Sequence, residues 1–160
     1  MRIIGGSAKG KSLFSPSDKT RPTSDRAREG LFSSLESEFG SMHDLNFLDL
    51  FSGSGAVGVE ALSRGAALVT SVEQHAPTSQ IAIQNFQLVS GASGEFEVIP
   101  QDVSKYLSSP ANHQFDIIFL DPPYDLANSE IEKILSMISK KNFLKNNGVI
   151  AVERESRSEE

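Results

Sequence analysis

The sequence predicts an α/β fold, with a mostly parallel sheet covered by helices on both faces. Short runs rich in β-branched and aromatic residues alternate along the chain with segments whose apolar residues recur at helical spacing. The run FDIIFL at 115–120 is apolar on both faces, which is typical of a strand buried between two helical layers. A chain of 160 residues has the length of one such domain.

The first predicted helix reads DRAREGLFSSLE and covers 25–36. Thr23 or Ser24 can cap its amino end by accepting a hydrogen bond from the first turn. Ala27, Leu31 and Leu35 fall on one side of this helix at helical spacing. We therefore expect these three side chains to face the core.

The remaining predicted elements alternate strand and helix. The strands cover 47–51, 67–73, 96–99, 115–120 and 148–152, and the helices cover 57–62, 77–89 and 131–138. Parallel sheets of this kind bind ligands at the carboxyl ends of their strands. Asp49, Glu73, Asp102 and Asp121 lie at these ends, so this edge of the sheet is the predicted site.

Charge is distributed unevenly along the chain. Residues 1–28 carry seven basic and two acidic side chains, a net charge of +5, whereas the whole protein carries −6. A basic segment on an acidic body is either a solvated terminus or a surface for phosphate groups. Residues 1–22 are predicted to form a basic arm or hairpin, and residues 23–160 a single domain. Arg26 and Arg28 are candidates for phosphate contacts, with pairing to Glu29 or a position on a solvated helix face as the alternatives for each.

Composition excludes several classes of site. The chain has no cysteine, which rules out disulfides, thiolate nucleophiles and cysteine-ligated metals. Its three histidines have no metal-ligand spacing, so we expect no metal. The longest unbroken aliphatic or aromatic run, Ile117 to Leu120, is far shorter than a membrane span. No signal peptide is visible, and we expect a cytoplasmic protein without a membrane partner.

One glycine-rich stretch matches a nucleotide-hydrolase pattern. GGSAKGKS at 5–12 has the spacing G-x-x-x-x-G-K-[ST], and Asp121 follows an apolar strand as a second acid would. A phosphate-binding loop of that class must open a helix. Pro16 would lie inside that helix, at a cost of about 3 kcal/mol. We therefore predict a hairpin or arm here.

The second glycine-rich stretch, GSGAVG at 53–58, is here called the glycine loop. It has the full G-x-G-x-x-G spacing, follows a predicted strand and precedes a predicted helix. Glu73 lies 20 residues after Gly53, at the end of the next strand, where a carboxylate can accept both hydroxyls of a ribose. This pattern suits a dinucleotide dehydrogenase, an S-adenosylmethionine (SAM) enzyme, or a purely structural tight turn.

Asp49 discriminates between a dinucleotide and SAM as the ligand of the glycine loop. It precedes the glycine loop by four residues, within the strand that leads into it. A carboxylate there would repel a pyrophosphate and attract the ammonium group of SAM. At 4 Å and an effective dielectric constant near 20, each interaction is worth about 4 kcal/mol before desolvation. Asp49 therefore favours SAM, unless its carboxylate only caps backbone amides.

Asp121-Pro122-Pro123-Tyr124, here called the DPPY turn, is the most specific pattern in the chain. Two consecutive prolines hold the backbone extended and present the Pro122 carbonyl rigidly. That carbonyl and the Asp121 carboxylate can accept both hydrogens of an exocyclic amine on a planar base. The Tyr124 ring can stack on the base, which is worth about 1–3 kcal/mol. The turn therefore predicts methyl transfer to such an amine, with a loop-forming turn and buried tyrosine as the structural alternative.

At these residues the sequence resembles a class I SAM-dependent methyltransferase with a Rossmann-like fold. More closely, it is similar to the RsmD family of 16S rRNA guanine-N2 methyltransferases. The resemblance runs from residue 2 to about residue 153 and rests on four segments: RIIGGSAKGKSL, RPTSDRAREGLFSSL, FLDLFSGSGAVGVEALSRGA and FDIIFLDPPY.

The resemblance implies a role for each candidate residue. The DPPY turn would be catalytic, with Asp121, Pro122, Pro123 and Tyr124 clamping the guanine. SAM would be bound by Arg21, Thr23, Asp49, Phe51, Gly53, Gly55, Glu73, Asp102 and Val103. RNA would be bound by Arg2, Lys9, Lys11 and Arg26. The implied partner is 16S rRNA or the assembling small ribosomal subunit, and the implied protein is a cytoplasmic monomer.

The sequence departs from the family pattern at its carboxyl end. The family continues past the fifth strand with a helix and an antiparallel strand pair, whereas this chain ends in a charged tail, so its carboxyl-terminal strands are expected to be missing or short. Two alternatives stay open from the sequence. One is a SAM-dependent enzyme acting on another amine, in DNA adenine or cytosine or in protein glutamine. The other is an inactive RNA-binding module.

Overall fold

The computed structural model describes residues 1–15, 24–89 and 91–154. This part of the chain forms five helices and five strands that alternate after the first helix. The helices are α1 (Asp25–Phe39), α2 (Ala56–Ser63), α3 (Ala76–Gln87), α4 (Val103–Ser108) and α5 (Asn128–Lys140). The strands are β1 (Asn46–Leu50), β2 (Leu68–Val72), β3 (Glu95–Ile99), β4 (Phe115–Leu120) and β5 (Leu144–Val152).

The five strands form one sheet in the order β3-β2-β1-β4-β5, and every neighbouring pair is parallel. At its carboxyl end Leu50 of β1 lies opposite Val72 of β2 and Leu120 of β4. The residues that follow these strands therefore meet at one edge of the sheet. The predicted Rossmann-like α/β fold is confirmed.

Two hydrophobic clusters cover the two faces of the sheet, because alternate strand residues point to opposite sides. The first cluster lies beneath α1, α2 and α3 and includes Phe32, Phe47, Val59, Val69, Phe86, Ile117 and Phe119. The second cluster lies beneath α4 and α5 and includes Leu48, Leu50, Leu107, Ile118, Leu120, Ile134 and Ile138. Helices on both faces were predicted from the apolar strands, and the structure confirms them.

The buried face of α1 differs from the predicted one. Ser24 caps the helix by accepting a hydrogen bond from the amide of Ala27 at 3.1 Å. However, Ala27 is exposed, and the residues buried along the helix are Arg28, Phe32 and Leu35. The prediction was wrong for Ala27, because Arg28 was assumed to face solvent, whereas Leu35 is buried as predicted and the half-buried Leu31 packs against the first cluster.

Two further boundaries were misjudged. Helix α4 was not predicted, since six residues are too few to establish helical periodicity. Strand β5 begins at Leu144 rather than residue 148, before an irregularity in the pairing: Leu144 lies opposite Phe115, but Val149 lies opposite Ile117. The intervening KNNG residues are poor strand formers, which hid this first part of the strand.

Residues 2–12 of the amino-terminal segment form a short hairpin. Arg2 and Ser12 make an antiparallel bridge, and the amide of Ile3 donates to the carbonyl of Lys11 at 2.9 Å. No helix follows Ser12 within the described residues up to 15, which agrees with the rejection of a nucleotide-hydrolase loop. Ile3, Ala8 and Leu13 belong to the first cluster, so the hairpin packs on the domain. The predicted boundary at residue 22 lies outside the described residues.

Candidate active site

The candidate site lies where β1, β2 and β4 end side by side. Asp49 is the penultimate residue of β1, Glu73 directly follows β2, and Asp121 directly follows β4. The pairing of these strands brings the three carboxylates to one edge of the sheet, as the sequence predicted.

The glycines of the glycine loop have different structural roles. Gly53 and Gly55 have φ values of +59° and +83°, a conformation that side chains rarely adopt. A Cβ on Gly58 would lie 2.9 Å from the ring of Phe86, so this glycine lets α2 pack closely on its neighbours. A Cβ on Gly53, in contrast, would have no described neighbour within 4 Å. The loop is therefore closely packed against the side chains of Phe86 and Val69 at Gly58, whereas the space beside Gly53 is open.

Phe51 lies between β1 and the glycine loop and has a φ of +62°. For a bulky residue this left-handed conformation is unusual, and such conformations cluster at functional sites. Its half-buried ring packs against the second cluster. The next residue, Ser52, donates its amide to the carbonyl of Val72 at 2.9 Å, which fixes the direction in which the loop leaves β1.

Glu73 supports the glycine loop directly. Its Oε1 accepts a hydrogen bond from the amide of Gly53 at 2.9 Å, and its Oε2 accepts one from the amide of His75 at 2.8 Å. Two carboxylate oxygens offer about four acceptor positions, so capacity remains for two hydroxyl groups. Glu73 therefore links the loop to the position that a ribose would occupy.

Asp49 is a buried acid with an unused acceptor. Its residue is 1% exposed, and its Oδ2 has no hydrogen-bond partner among the described residues. Burial, and secondarily the negative charge of Asp121, raise the pKa of Asp49 well above its usual range. The ionised form of a carboxyl group in this buried position is costly even though polar groups of Ser52 and Gly58 partly stabilise it, and a cationic ligand would compensate for that cost.

Asp102 and Val103 lie at the start of α4. Asp102 is exposed and caps the helix, since its Oδ2 accepts from the amide of Lys105 at 3.2 Å. The side chain of Val103 is buried in the second cluster. Of these two predicted cofactor residues, Val103 can therefore offer only backbone atoms to a ligand.

The DPPY turn leaves β4 at the sheet edge. Pro122 is buried and Asp121 is half-buried, whereas Pro123 is exposed. Tyr124 is 70% exposed, which removes the alternative of a buried tyrosine. The amide of Leu126 donates to the carbonyl of Pro123 at 3.0 Å, so residues 123–126 form a β-turn with Tyr124 at its second position.

The predicted RNA-binding residues have different environments. Arg2, Lys9 and Arg26 are exposed. The ammonium group of Lys11 donates a hydrogen bond to the carbonyl of Leu88 at 2.7 Å, just past α3. The helix dipole stabilises a cation at this end of a helix.

Arg28 is not available to RNA. It is fully buried and pairs with Asp25 at 2.8 Å, so the suggestion that it contacts phosphate is wrong. Arg21 and Thr23, predicted to bind the cofactor, lie outside the described residues.

Asn85 is a site residue that the sequence analysis missed. It is fully buried on α3, where its Oδ1 accepts from the amide of Phe14 at 2.7 Å. Its Nδ2 donates to the carbonyls of Phe14 at 3.0 Å and of Ser54 at 2.8 Å. Asn85 thus joins the hairpin to the glycine loop. The available signal was an amide adjacent to Phe86, one of the apolar residues that recur at helical spacing in this segment.

Glu60 is a second missed residue. It is 1% exposed on α2, and its carboxylate accepts from the amides of Ile4 and Gly5, both at 2.9 Å. Arg64 also donates its Nε to Glu60 at 2.9 Å. These bonds attach the hairpin to the helix that begins at the glycine loop.

The described residues contain neither a candidate metal cluster nor a candidate membrane span. No group of three or more histidine, aspartate or glutamate side chains there could hold a metal ion. No helix in this part of the chain has both the length and the apolar character needed to cross a bilayer.

Comparison with known proteins identifies the family. The family described as "Conserved hypothetical protein 95" matches residues 1–160. Ribosomal RNA small subunit methyltransferase D of Haemophilus influenzae is 38% identical over 157 residues, which cover 97% of this chain and 79% of that protein. Its counterpart in Escherichia coli K12 is 36% identical over 156 residues, covering 97% and 75%.

A solved structure agrees with these relatives. The Escherichia coli protein YhhF matches with a TM-score of 0.84 and 35% identity, over 97% of this chain and 81% of its own. The resemblance inferred from the motifs is therefore confirmed, and the chain belongs to the family of ribosomal RNA small subunit methyltransferase D.

Proposed function

We propose that this protein transfers a methyl group from SAM to the exocyclic N2 amine of a guanine in 16S rRNA. One observation carries the proposal: a buried acid with an unused acceptor, an open glycine loop and an exposed DPPY turn meet at one sheet edge. The relatives named small subunit methyltransferases support ribosomal RNA as the substrate class.

The residues at the sheet edge fit SAM. The unused Oδ2 of Asp49 would accept a hydrogen bond from the SAM ammonium, and this cation would favour the ionised form of the buried acid. Glu73 would hold the ribose hydroxyls. The open side of Gly53 allows the ligand to approach the backbone closely. SAM supplies an electrophilic methyl group on a sulfonium, and the protein's task is to orient the acceptor towards it.

The other proposed cofactor contacts lie around Asp49, Glu73 and Gly53. Phe51 and Gly55 shape the loop through their left-handed backbones. Asp102 and the backbone of Val103 would lie near the adenine. Arg21 and Thr23 complete the set proposed from the family resemblance.

The DPPY turn would hold the acceptor amine. The carbonyl of Pro122 and the carboxylate of Asp121 would each accept one amine hydrogen, leaving the nitrogen lone pair directed at the methyl group. As the N–C bond forms and the S–C bond breaks, positive charge develops on the nitrogen, and Asp121 would stabilise it. The amine would then release one proton to solvent, and the former sulfonium would leave as the neutral thioether of S-adenosylhomocysteine. The exposed Tyr124 ring would stack on the guanine, which must leave its own stack to enter.

The hairpin provides a surface for the RNA backbone. Arg2, Lys9 and Arg26 are exposed and would contact phosphates, while Lys11 adds positive charge from its position at the end of α3. The proposed partner is 16S rRNA, free or in the assembling small subunit, and the proposed working form is a cytoplasmic monomer.

The test identifies the product. The purified protein is incubated with methyl-labelled SAM and unmethylated 16S rRNA, and the digested RNA is analysed by mass spectrometry. We expect label in N2-methylguanosine. Label in another nucleoside, or in DNA or protein offered in parallel, would show that the methyl acceptor is not the N2 amine of guanine. RNA binding without affinity for S-adenosylhomocysteine (SAH) would instead favour an inactive module.

A further inference from the structure

Arg154, which follows β5, contacts the loop between the DPPY turn and α5. Its Nη2 donates to the carbonyl of Leu126 at 2.8 Å. Its Nη1 donates to the carbonyl of Pro123 at 3.2 Å, and its Nη2 also reaches Oδ1 of Asn128 at 3.2 Å. One guanidinium thus joins three acceptors from six residues of chain.

Two of these acceptors are the ends of one turn. Pro123 and Leu126 are the first and fourth residues of the β-turn that carries Tyr124. Joining both end carbonyls restrains the peptide plane before Tyr124 and the one after Leu126, and so fixes the two ends of the turn. The planar fork of an arginine suits such a task, since its five donors have fixed relative directions.

The sheet delivers Arg154 to this place. The amide of Glu153 donates to the carbonyl of Leu120 at 2.8 Å, which continues the β4–β5 pairing to the residue before Asp121. Pro122 and Pro123 have no amide hydrogen, so this part of the loop cannot anchor itself through its own donors. A donor from a neighbouring strand replaces what the prolines lack.

Helix stability does not account for this contact. Arg154 lies at the amino end of α5, where the helix dipole disfavours a cation. Acidic residues are preferred there, and Glu130 already occupies the first turn. Two of the three hydrogen bonds go to the turn, so we assign their main benefit to the turn rather than to the helix.

We propose that Arg154 is a positioning residue that holds the DPPY turn in its amine-accepting geometry before the guanine enters. This inference rests on the proposed function, because Arg154 acts through Asp121, Pro122 and Tyr124 and would not touch the substrate. Preorganisation of this kind matters because a shift of about 1 Å in a reacting group can reduce the rate about 100-fold.

The test compares two side-chain contacts. One lies beyond the carboxyl ends of β4 and β5, and the other lies near the amino ends of the same two strands. Arg154→Met removes the link at the carboxyl end, and Lys145→Met removes the ion pair with Asp116, 3.2 Å long, near the amino end of β4. We expect Arg154→Met to lower kcat for RNA methylation about 10- to 100-fold with an unchanged Kd for SAH. Arg154→Lys should restore part of the rate, because three donors remain. Lys145→Met should leave kcat unchanged.

A second measurement does not depend on activity. Hydrogen exchange of the amides at 124–128 should accelerate in Arg154→Met but not in Lys145→Met. Wild-type kcat in Arg154→Met, or equal loss in both variants, would overturn the proposal. Wild-type protein that binds SAH but methylates no RNA would instead count against the proposed function. If Arg154→Met fails to fold, the kcat of Arg154→Lys decides, since a merely structural role predicts no rate loss in a stable variant.

Discussion

The glycine loop and the DPPY turn lie at the same sheet edge but are held in different ways. Below the glycine loop, Gly58 packs against Phe86, while Glu73 and Asn85 bond the loop backbone from neighbouring elements. The DPPY turn is partly exposed, and Tyr124 is 70% open to solvent. Its anchors include the buried Pro122 and the side chain of Arg154.

This difference matches what each region would bind. A cofactor that returns in every cycle can be met by a preformed backbone cradle, whose geometry is set by close packing. A base that enters from a large RNA needs an open aromatic face and rigid acceptors. We therefore expect changes in the glycine loop to affect fold and SAH affinity together, and changes in the DPPY turn to affect mainly catalysis.

The largest expected effect follows Asp121→Asn. Loss of the carboxylate removes stabilisation of the developing positive charge, and kcat should fall about 100- to 1,000-fold. Affinity for SAH, measured by calorimetry, should stay within a few-fold of wild type. Asp125→Asn is the matched control, because it removes an exposed acid from the same loop. Loss of SAH binding in Asp121→Asn with the fold intact would show that Asp121 binds the cofactor rather than the acceptor amine.

Asp49→Asn should separate stability from binding. A charged hydrogen bond to the ammonium is worth about 1.5–3 kcal/mol, so SAH affinity should fall roughly 10- to 100-fold. The free protein should become more stable, because a neutral amide replaces a buried acid.

The stabilisation expected in Asp49→Asn depends on pH. The pKa of Asp49 is raised in the folded state, so its contribution to stability is present below the unfolded pKa of about 3.9 and is lost as pH rises through the folded value. The gain in melting temperature of Asp49→Asn should therefore grow with pH from about pH 4 upward. A gain that shrinks over this range would contradict the assignment.

Gly58→Ala tests the packing below the loop. Its Cβ would lie 2.9 Å from Phe86 and from Val69, so the variant should lose about 1–3 kcal/mol of unfolding free energy. Gly30→Ala is the contrasting control on α1. No described atom lies within 4 Å of its Cβ, and it should stabilise the helix by about 0.5–1 kcal/mol. Denaturant unfolding measures both, and equal effects would show that Gly58 is not a packing constraint.

Residue pattern alone was sufficient for the order of the strands and of every helix except α4, and for placing Asp49, Glu73 and Asp121 at the carboxyl edge of the sheet. Apolar runs and glycine spacing depend on neighbours in the chain, which is why Gly53, Glu73 and the DPPY turn could be predicted. Pro16 also excluded a hydrolase loop from local geometry. Arg28 was misjudged because its charge suggested exposure, whereas Asp25 and Glu60 from two different elements make its burial tolerable.

The sequence by itself determined the alternating α/β order, the parallel sheet and which candidate residues lie at its carboxyl edge, because these follow from periodicity and from the position of each side chain relative to the end of its strand. Tertiary structure decided which face of α1 is buried, that Asn85 joins Phe14 to Ser54, and that Arg154 reaches Pro123. These contacts join residues about 30 or more positions apart. Their geometry depends on how strands and helices pack, which no local pattern records.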